Sequence, residues 1–437
     1  MGIFAEGCVG DIAEYEARRS LDFARDDVDM KPTKIIYLDH AATTPLDSRV
    51  LEAMNPYFSD DFGNPSSFHT VGMQAKDAVS DARGTIARLI GAHEEEIIFT
   101  SGGTESDNLA VIGVPRYHAK ALMEKMSVLP HVITSAIEHH AVLEPLIAMD
   151  RKKEIELTIV GVNREGQVSV DEVVAALKPN TVLVSIMTAN NEIGTIQPIG
   201  DIGREILKWR KAKETVFPYL HTDACQATGY LDLNVEKSHV DLLTLNGSKM
   251  YGPKGIGALY VRKGVKLQPF FIGGGQERNI RSGTENVPGI VGLAKALVLV
   301  QADREVESAR LTTLRDRLTE GLLKIPKTIL NGHPTERLPN SVNISFIDIE
   351  GEAAILYLDA VGIMSSTGSA CASTSLDPSH VILATGLSYE AAHGSIRFTL
   401  GHSTTEEDID YVIKEMPAIV ERLRMMSPVN MDMKYFA

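Results

Sequence analysis

The chain has 437 residues, 44% of them hydrophobic and 23% charged, the balance of a globular protein large enough for two domains. A formal net charge of −15 argues against nucleic acid or an anionic membrane as a direct partner. The three cysteines, Cys8, Cys225 and Cys371, are odd in number and far apart, which argues against a disulfide framework and for a reducing cytoplasm.

Residues 1–33 lack the apolar core of a signal peptide and carry too many acids for a transit peptide. Glu6 stands where a myristoylation signal needs Ser or Thr. They read as an N-terminal extension of unknown function. From Ile35 onward, short β-rich runs alternate with helical patterns. The runs are "EIIFTS" (Glu96 to Ser101), "HVITSA" (His131 to Ala136), "TVLVSIM" (Thr181 to Met187), "PYLHTD" (Pro218 to Asp223) and "DLLTLNG" (Asp241 to Gly247). This alternation predicts an α/β domain with a mostly parallel central sheet, where ligands gather at the carboxyl ends of the strands. Thr104, His139, Asn191, Asp223 and Lys249 stand at or just after these runs.

Each of these stretches admits a chemical reading and a plain one. In "TSGGTESDN", Gly103 and Thr104 open a helix after a strand, which makes either a phosphate cradle or a simple cap. In "AIEHHAVLE", His139 and His140 point different ways, so a shared metal site is disfavoured. Stacking on a flat ligand, capping and surface exposure remain open. Asp223 in "HTDACQATG" is a cap, a holder of a buried cation, or the acid beside a pyridine nitrogen. Lys249, in the Gly-rich "LTLNGSKMYGPKGIGALYV", is a surface lysine or a Schiff-base former.

The apolar run "VPGIVGLAKALVLVQA" (Val287 to Ala302) is broken by Pro288 and Lys295 and reads as a buried helix, not a membrane span. After about Gln301 the texture changes. A charged helix, "DREVESARLTTLRDRLTEGLLK", precedes "NSVNISFI", "GIMSS" and "SIRFTLG", which predicts a smaller α+β domain. Within it, "SSTGSACASTSLDPSH" places the lone thiol of Cys371 among small polar residues. Such a setting keeps a thiol accessible and lets it move. Arg397 in "GSIRFTLG" needs an anion, either a ligand carboxylate or a structural carboxylate. No CxxC or HExxH pattern indicates a zinc site, and the dinucleotide, P-loop and serine-hydrolase signatures are missing.

Taken together, these stretches resemble one family. "YLDHAATTP", "FGNPSSFH", "TSGGTESDN", "EHHAVLE", "SIMTANNEIGTIQPI", "HTDACQ", "SKMYGPKGIGALY", "GGGQERNIRSGT", "SSTGSACAS" and "GSIRFTLG" occur in the order found in cysteine desulfurases of the NifS/IscS-like group. These are pyridoxal-phosphate enzymes of the aspartate-aminotransferase fold type (fold type I, class V). The resemblance runs from about Tyr37 to Ile413. It implies a large cofactor-binding domain over residues 51–301. It also implies a small domain over 34–50 and 302–437 that carries the sulfur-accepting cysteine.

The resemblance further implies a role for each matched residue. Lys249 is the Schiff-base lysine, and Asp223 pairs with the ring nitrogen. Gln226 meets the phenolic oxygen, and His139 stacks on the ring. Gly103 and Thr104 form the phosphate cradle, and Thr284 reaches the phosphate of the neighbouring subunit in a homodimer. Asn191 and Arg397 hold the substrate carboxylate, and Cys371 takes the sulfur. The implied reaction is L-cysteine to L-alanine with a persulfide on Cys371. Iron–sulfur cluster assembly or tRNA thiolation would be served through a scaffold or another acceptor protein. A selenocysteine lyase, another lyase or aminotransferase of this fold, and a non-catalytic assembly subunit are the alternatives.

The sequence departs from the family at two points: its C-terminal tail, "RMMSPVNMDMKYFA", only loosely resembles the tail that docks the iron–sulfur scaffold in some relatives, and its Schiff-base motif differs. The usual Ser-x-His-Lys is Asn246-Gly247-Ser248-Lys249 here. Both replacements still donate hydrogen bonds, so Asn246 and Ser248 are expected to keep the phosphate contacts.

Overall fold

The alternating runs form twelve strands among the described residues of a computed structural model, which are 34–368, 378–428, 430, 431 and 433. In chain order the strands are β1 (Ile36–Tyr37), β2 (Ile97–Thr100), β3 (His131–Ser135), β4 (Glu156–Val160), β5 (Thr181–Ser185) and β6 (Tyr219–Asp223), then β7 (Leu242–Asn246), β8 (Gly257–Val261), β9 (Thr328–Leu330), β10 (Ser341–Phe346), β11 (Ile363–Met364) and β12 (Ser395–Thr399). Cys8 and Cys371 lie outside the described residues.

Seven strands make the central sheet, in the order β2-β8-β7-β6-β5-β3-β4. β4, β3, β5, β6 and β7 pair in parallel, while β8 runs antiparallel to both β7 and β2. Only β8 therefore opposes the common direction. The reason is local: the link from Asn246 to Gly257 is too short for the crossover helix that a parallel return needs. β3, β5 and β6 are buried at every position. That is the state of an inner strand covered on both faces.

Helices cover this sheet with regular apolar stripes. Helix Thr70–Ile90 turns Ala75, Val79, Ala82, Ile86 and Ile90 inward and ends at Gly91, whose φ of +73° suits a residue without a side chain. It packs on helix Val287–Ala302, the most apolar run of the chain, which is buried along most of its length. Separate apolar clusters lie on the two faces of the sheet.

A further cluster belongs to the second texture. β10 is the centre of an antiparallel sheet, β12-β10-β9, and β1 pairs in parallel with β11. Val342, Ile344, Phe346, Ile396 and Phe398 pack there with helices Arg304–Leu322 and Glu406–Met426. Ile36 and Leu38 join this cluster, whereas Val50 and Met54 join the first. Among the described residues, no helix is long and apolar enough to cross a membrane.

Candidate active site

Because six strands of the sheet point one way, the segments leaving β2, β3, β5, β6 and β7 emerge along one edge. They line a cavity of about 250 Å³ together with Ala41, Ala42, Gly368, His380 and Arg397. Gly103, Thr104, His139, Asn191, Asp223, Gln226, Asn246, Lys249 and Arg397, all singled out in the sequence, share this cavity.

Gly103 and Thr104 begin helix Gly103–Met126, whose first-turn N–H groups have no acceptor within the helix. A Cβ on Gly103 would lie 2.9 Å from Cys225 Sγ and 3.4 Å from Asn246 Nδ2, so only glycine fits without a shift. His139 is the N-cap of helix His140–Arg151, and its Nδ1 accepts from the N–H of Ala141 at 3.1 Å. The neutral ring therefore carries its proton on Nε2. Burial holds the His139 pKa below the ordinary histidine value, and the nearby Lys249 pushes the same way against Asp223.

Asp223 closes β6, and its Oδ1 accepts from the N–H of Cys225 at 2.8 Å. Lys249 ends the short 3-10 turn Gly247–Lys249 that follows β7. Its Nζ donates to the carbonyls of Ala41 at 2.8 Å and Ala42 at 2.5 Å. Gln226 Nε2 donates to the same Ala41 oxygen at 3.0 Å. Thr44 fastens this turn from the other side, donating to Ser248 O through both its N–H and its hydroxyl.

Arg397 projects from β12, 2% exposed. Its Nη1 donates to Asn191 O at 2.9 Å and Gly368 O at 3.2 Å, and its Nη2 meets Asp39 Oδ1 at 2.8 Å. Nε is buried without a hydrogen-bond partner among the described residues. Both readings of this arginine thus have substance: it has a structural carboxylate and it faces the cavity.

Two expected residues sit elsewhere. Ser248 is not among the cavity's lining residues, and its hydroxyl donates to Asn246 Oδ1 at 3.3 Å. Asn246 itself lines the cavity while capping the turn. Thr284 is exposed and lines a separate pocket with Thr100, Ser101 and Gly283.

The structure also brings in groups that the sequence did not single out. Asp107, 2% exposed, lines the cavity, with an Oδ1 that has no hydrogen-bond partner among the described residues and lies 3.7 Å from His221 Nε2. Burial, then the charge of Asp223, raises the Asp107 pKa well above the carboxylate range. Burial lowers His221 to about 4. Glu138, just before His139, accepts from Ser135 Oγ at 2.6 Å and from the Met187 N–H at 2.9 Å. Burial pushes it up to about 8. Cys225 is buried against Gly103, and its thiol is pushed far up by burial and by Asp223. Glu192 accepts from the hydroxyl of Ser379, and His380 Nε2 donates to Glu138 O at 3.0 Å.

Comparison with known proteins places this arrangement. The profile of the Aminotransferase class-V family matches residues 36–412. The chain is 53% identical over 397 residues to "Cysteine desulfurase IscS" of Methanosarcina thermophila, covering 91% of this chain and 95% of that protein. It is 47% identical over 393 residues to "Cysteine desulfurase IscS 1" of Archaeoglobus fulgidus, covering 90% of this chain and 99% of that protein. Among solved structures, a "NIFS-like protein" superposes with a TM-score of 0.81 at 36% identity, over 89% of this chain and all of the other.

Proposed function

The chain belongs to the class-V aminotransferase family and is a pyridoxal-phosphate-dependent cysteine desulfurase, and from that premise we propose that it passes the sulfur of L-cysteine to Cys371 as a persulfide and releases L-alanine. The observation that carries this reading is the single cavity shared by Lys249, Asp223, His139, Gln226 and Arg397.

The residues present fit the cofactor. Gly103 begins a helix at the cavity where a Cβ would crowd Cys225 Sγ, and the N–H groups of that helix N-terminus suit a phosphate. Asp223 supplies a carboxylate for a ring nitrogen, Gln226 an amide for a phenolic oxygen, and Lys249 an amine for the aldehyde. Pyridoxal phosphate, when bound, supplies the ring that accepts electrons from the substrate α-carbon. Asn246 adds a side chain at the phosphate end, and Ser248 supports it through the 3.3 Å hydrogen bond to Asn246.

The protein's own groups then have distinct tasks. Asn191 and Arg397 hold the substrate carboxylate. Lys249 takes and returns the α-proton at Nζ. His139 covers the ring face, its Nε2 proton available for hydrogen bonding. The Cys371 thiolate forms an S–S bond with the substrate sulfur as the carbon–sulfur bond breaks. The carbon framework gains protons and leaves as L-alanine.

Residues 51–301 form the cofactor domain, and residues 34–50 with 302–437 form the smaller one. A homodimer, in which Thr284 reaches the partner's phosphate, accounts for its exposed position outside its own cavity. The sulfur passes to an iron–sulfur scaffold or another acceptor protein in the cytoplasm. Release of L-alanine from L-cysteine by the purified chain, in step with sulfur transferred, tests the proposal. Absence of alanine would overturn it.

A further inference from the structure

The stretch "LDHAATTP" near the start of the described chain has no task in the reaction as outlined, yet it meets the site at several points. Asp39 is bridged to Thr399, two residues beyond Arg397 on β12. Its carbonyl accepts from Tyr37 Oη at 3.0 Å and from the Ala42 N–H at 3.0 Å, so the turn that follows is fixed at its first residue. Ala41 and Ala42 in that turn accept from Lys249, and Ala41 also from Gln226.

The Asp39 side chain faces the other way, to Arg397. A guanidinium has five donors in a rigid fork, and its direction decides which edge a carboxylate can meet. Two backbone carbonyls occupy Nη1 of Arg397, and Asp39 occupies Nη2 at 2.8 Å. Nε has no hydrogen-bond partner among the described residues. The carbonyls fix one end of the fork, and Asp39 alone among these partners brings a charge and fixes the other.

We propose that Asp39 is the positioning residue that turns Arg397 toward the carboxylate of the amino-acid substrate. This rests on the reading of Arg397 as the group that binds this carboxylate. Asp39 acts through Arg397 and touches no reacting atom. Its effect is therefore confined to ligands that carry a carboxylate.

Calorimetric titration of the cofactor-loaded protein with L-alanine and with cysteamine, which lacks the carboxylate, tests this. Asp39→Ala removes the acceptor, and Asp39→Glu keeps the charge but displaces it by one methylene. Each is expected to weaken L-alanine binding by at least about tenfold, while Asp39→Asn, which keeps an acceptor oxygen in place, stays within about threefold. Cysteamine is expected to bind all four proteins alike. The Glu variant preserves the ion pair's charge and serves if the Ala variant does not fold. L-alanine binding within about twofold of wild type in the Ala or Glu variant would overturn the proposal, as would an equal loss for cysteamine. Arg397→Ala is the comparator: if it keeps its L-alanine affinity, the carboxylate role of Arg397 fails, separately from any result at Asp39.

Discussion

The amine of Lys249 lies 2.8 Å from the carbonyl oxygen of Ala41, a residue 208 positions earlier in the chain. This contact ties the turn after β7 to the segment that leads out of β1. It holds the amine inside the cavity, where Nζ donates to two backbone carbonyls. Backbone carbonyls are weaker partners than a carboxylate, so an incoming aldehyde can take the amine from them.

Lys249→Ala is accordingly expected to lose covalent attachment of pyridoxal phosphate. Borohydride reduction followed by peptide mass analysis should find the cofactor on Lys249 in wild type and nowhere in the variant. Turnover of L-cysteine should fall by at least about a hundredfold. Normal turnover by the variant would remove Lys249 from its role.

Gly103 and Cys225 form a pair whose fit can be tested. A Cβ at residue 103 would lie 2.9 Å from Cys225 Sγ, closer than real contacts allow, and both residues are buried. Gly103→Ala is expected to weaken cofactor binding, because the helix N-terminus or the β6 turn must move. Cys225→Ala removes the clashing sulfur, so the double variant should recover most of the loss. Cofactor dissociation constants measured in this double-mutant cycle give the coupling. Simple additivity would show that the contact does not matter.

Glu138 gives a pH dependence with a definite sign. Its folded-state pKa is raised from 4.5 to about 8, mainly by burial. Between those values the folded chain holds a proton that the unfolded chain has released, so stability falls as pH rises through this window. Glu138→Gln keeps an oxygen for the Ser135 hydroxyl and the Met187 N–H but cannot ionise. The variant should match wild type near pH 4.5 and gain on it up to pH 8, by a few kcal/mol on an order-of-magnitude scale. Melting curves across this range check it. A constant gap would show that Glu138 is ionised in the folded chain.

Much of this architecture is legible in the sequence because buried parallel strands carry a strong signal. "HVITSA", "TVLVSIM", "PYLHTD" and "DLLTLNG" contain β3, β5, β6 and β7. Their common direction puts His139, Asn191, Asp223 and Lys249 at one edge. β8 is harder to read, since its reversal depends on the length of a connection and not on composition. β4 is harder still, because its edge position leaves Glu156 exposed and Leu157 and Thr158 half-buried.

The cavity's finer wiring was least visible. The carbonyls of Ala41 and Ala42 carry no residue signature, because every residue has one. Asp39 lies in "YLDHAATTP", but nothing in one dimension links it to Arg397, 358 positions later. Asp107 follows Thr104 by three residues in "TSGGTESDN", and its chemistry appears only once β6 brings His221 and Asp223 close to it. Ser248 shows the reverse case. Its place beside Lys249 suggested a phosphate contact, while the turn geometry directs its hydroxyl to Asn246.

Cys371→Ser separates binding from sulfur transfer. Lys249, Asp223 and Arg397 are untouched, so the variant should still bind L-cysteine and change the cofactor's absorbance. Serine stays protonated at neutral pH, whereas a free thiol with a pKa of about 8.5 ionises in part. Sulfur loading should therefore vanish and alanine formation should fall by orders of magnitude.

The most direct measurement is mass spectrometry of the alkylated protein after one turnover with L-cysteine. The expected result is one added sulfur on the peptide that contains Cys371, with an equal amount of L-alanine in solution. Cys8 and Cys225 should remain unmodified, the latter because burial keeps its thiol protonated. Sulfur on Cys8 or Cys225, or normal sulfur loading in the Cys371→Ser variant, would contradict the account.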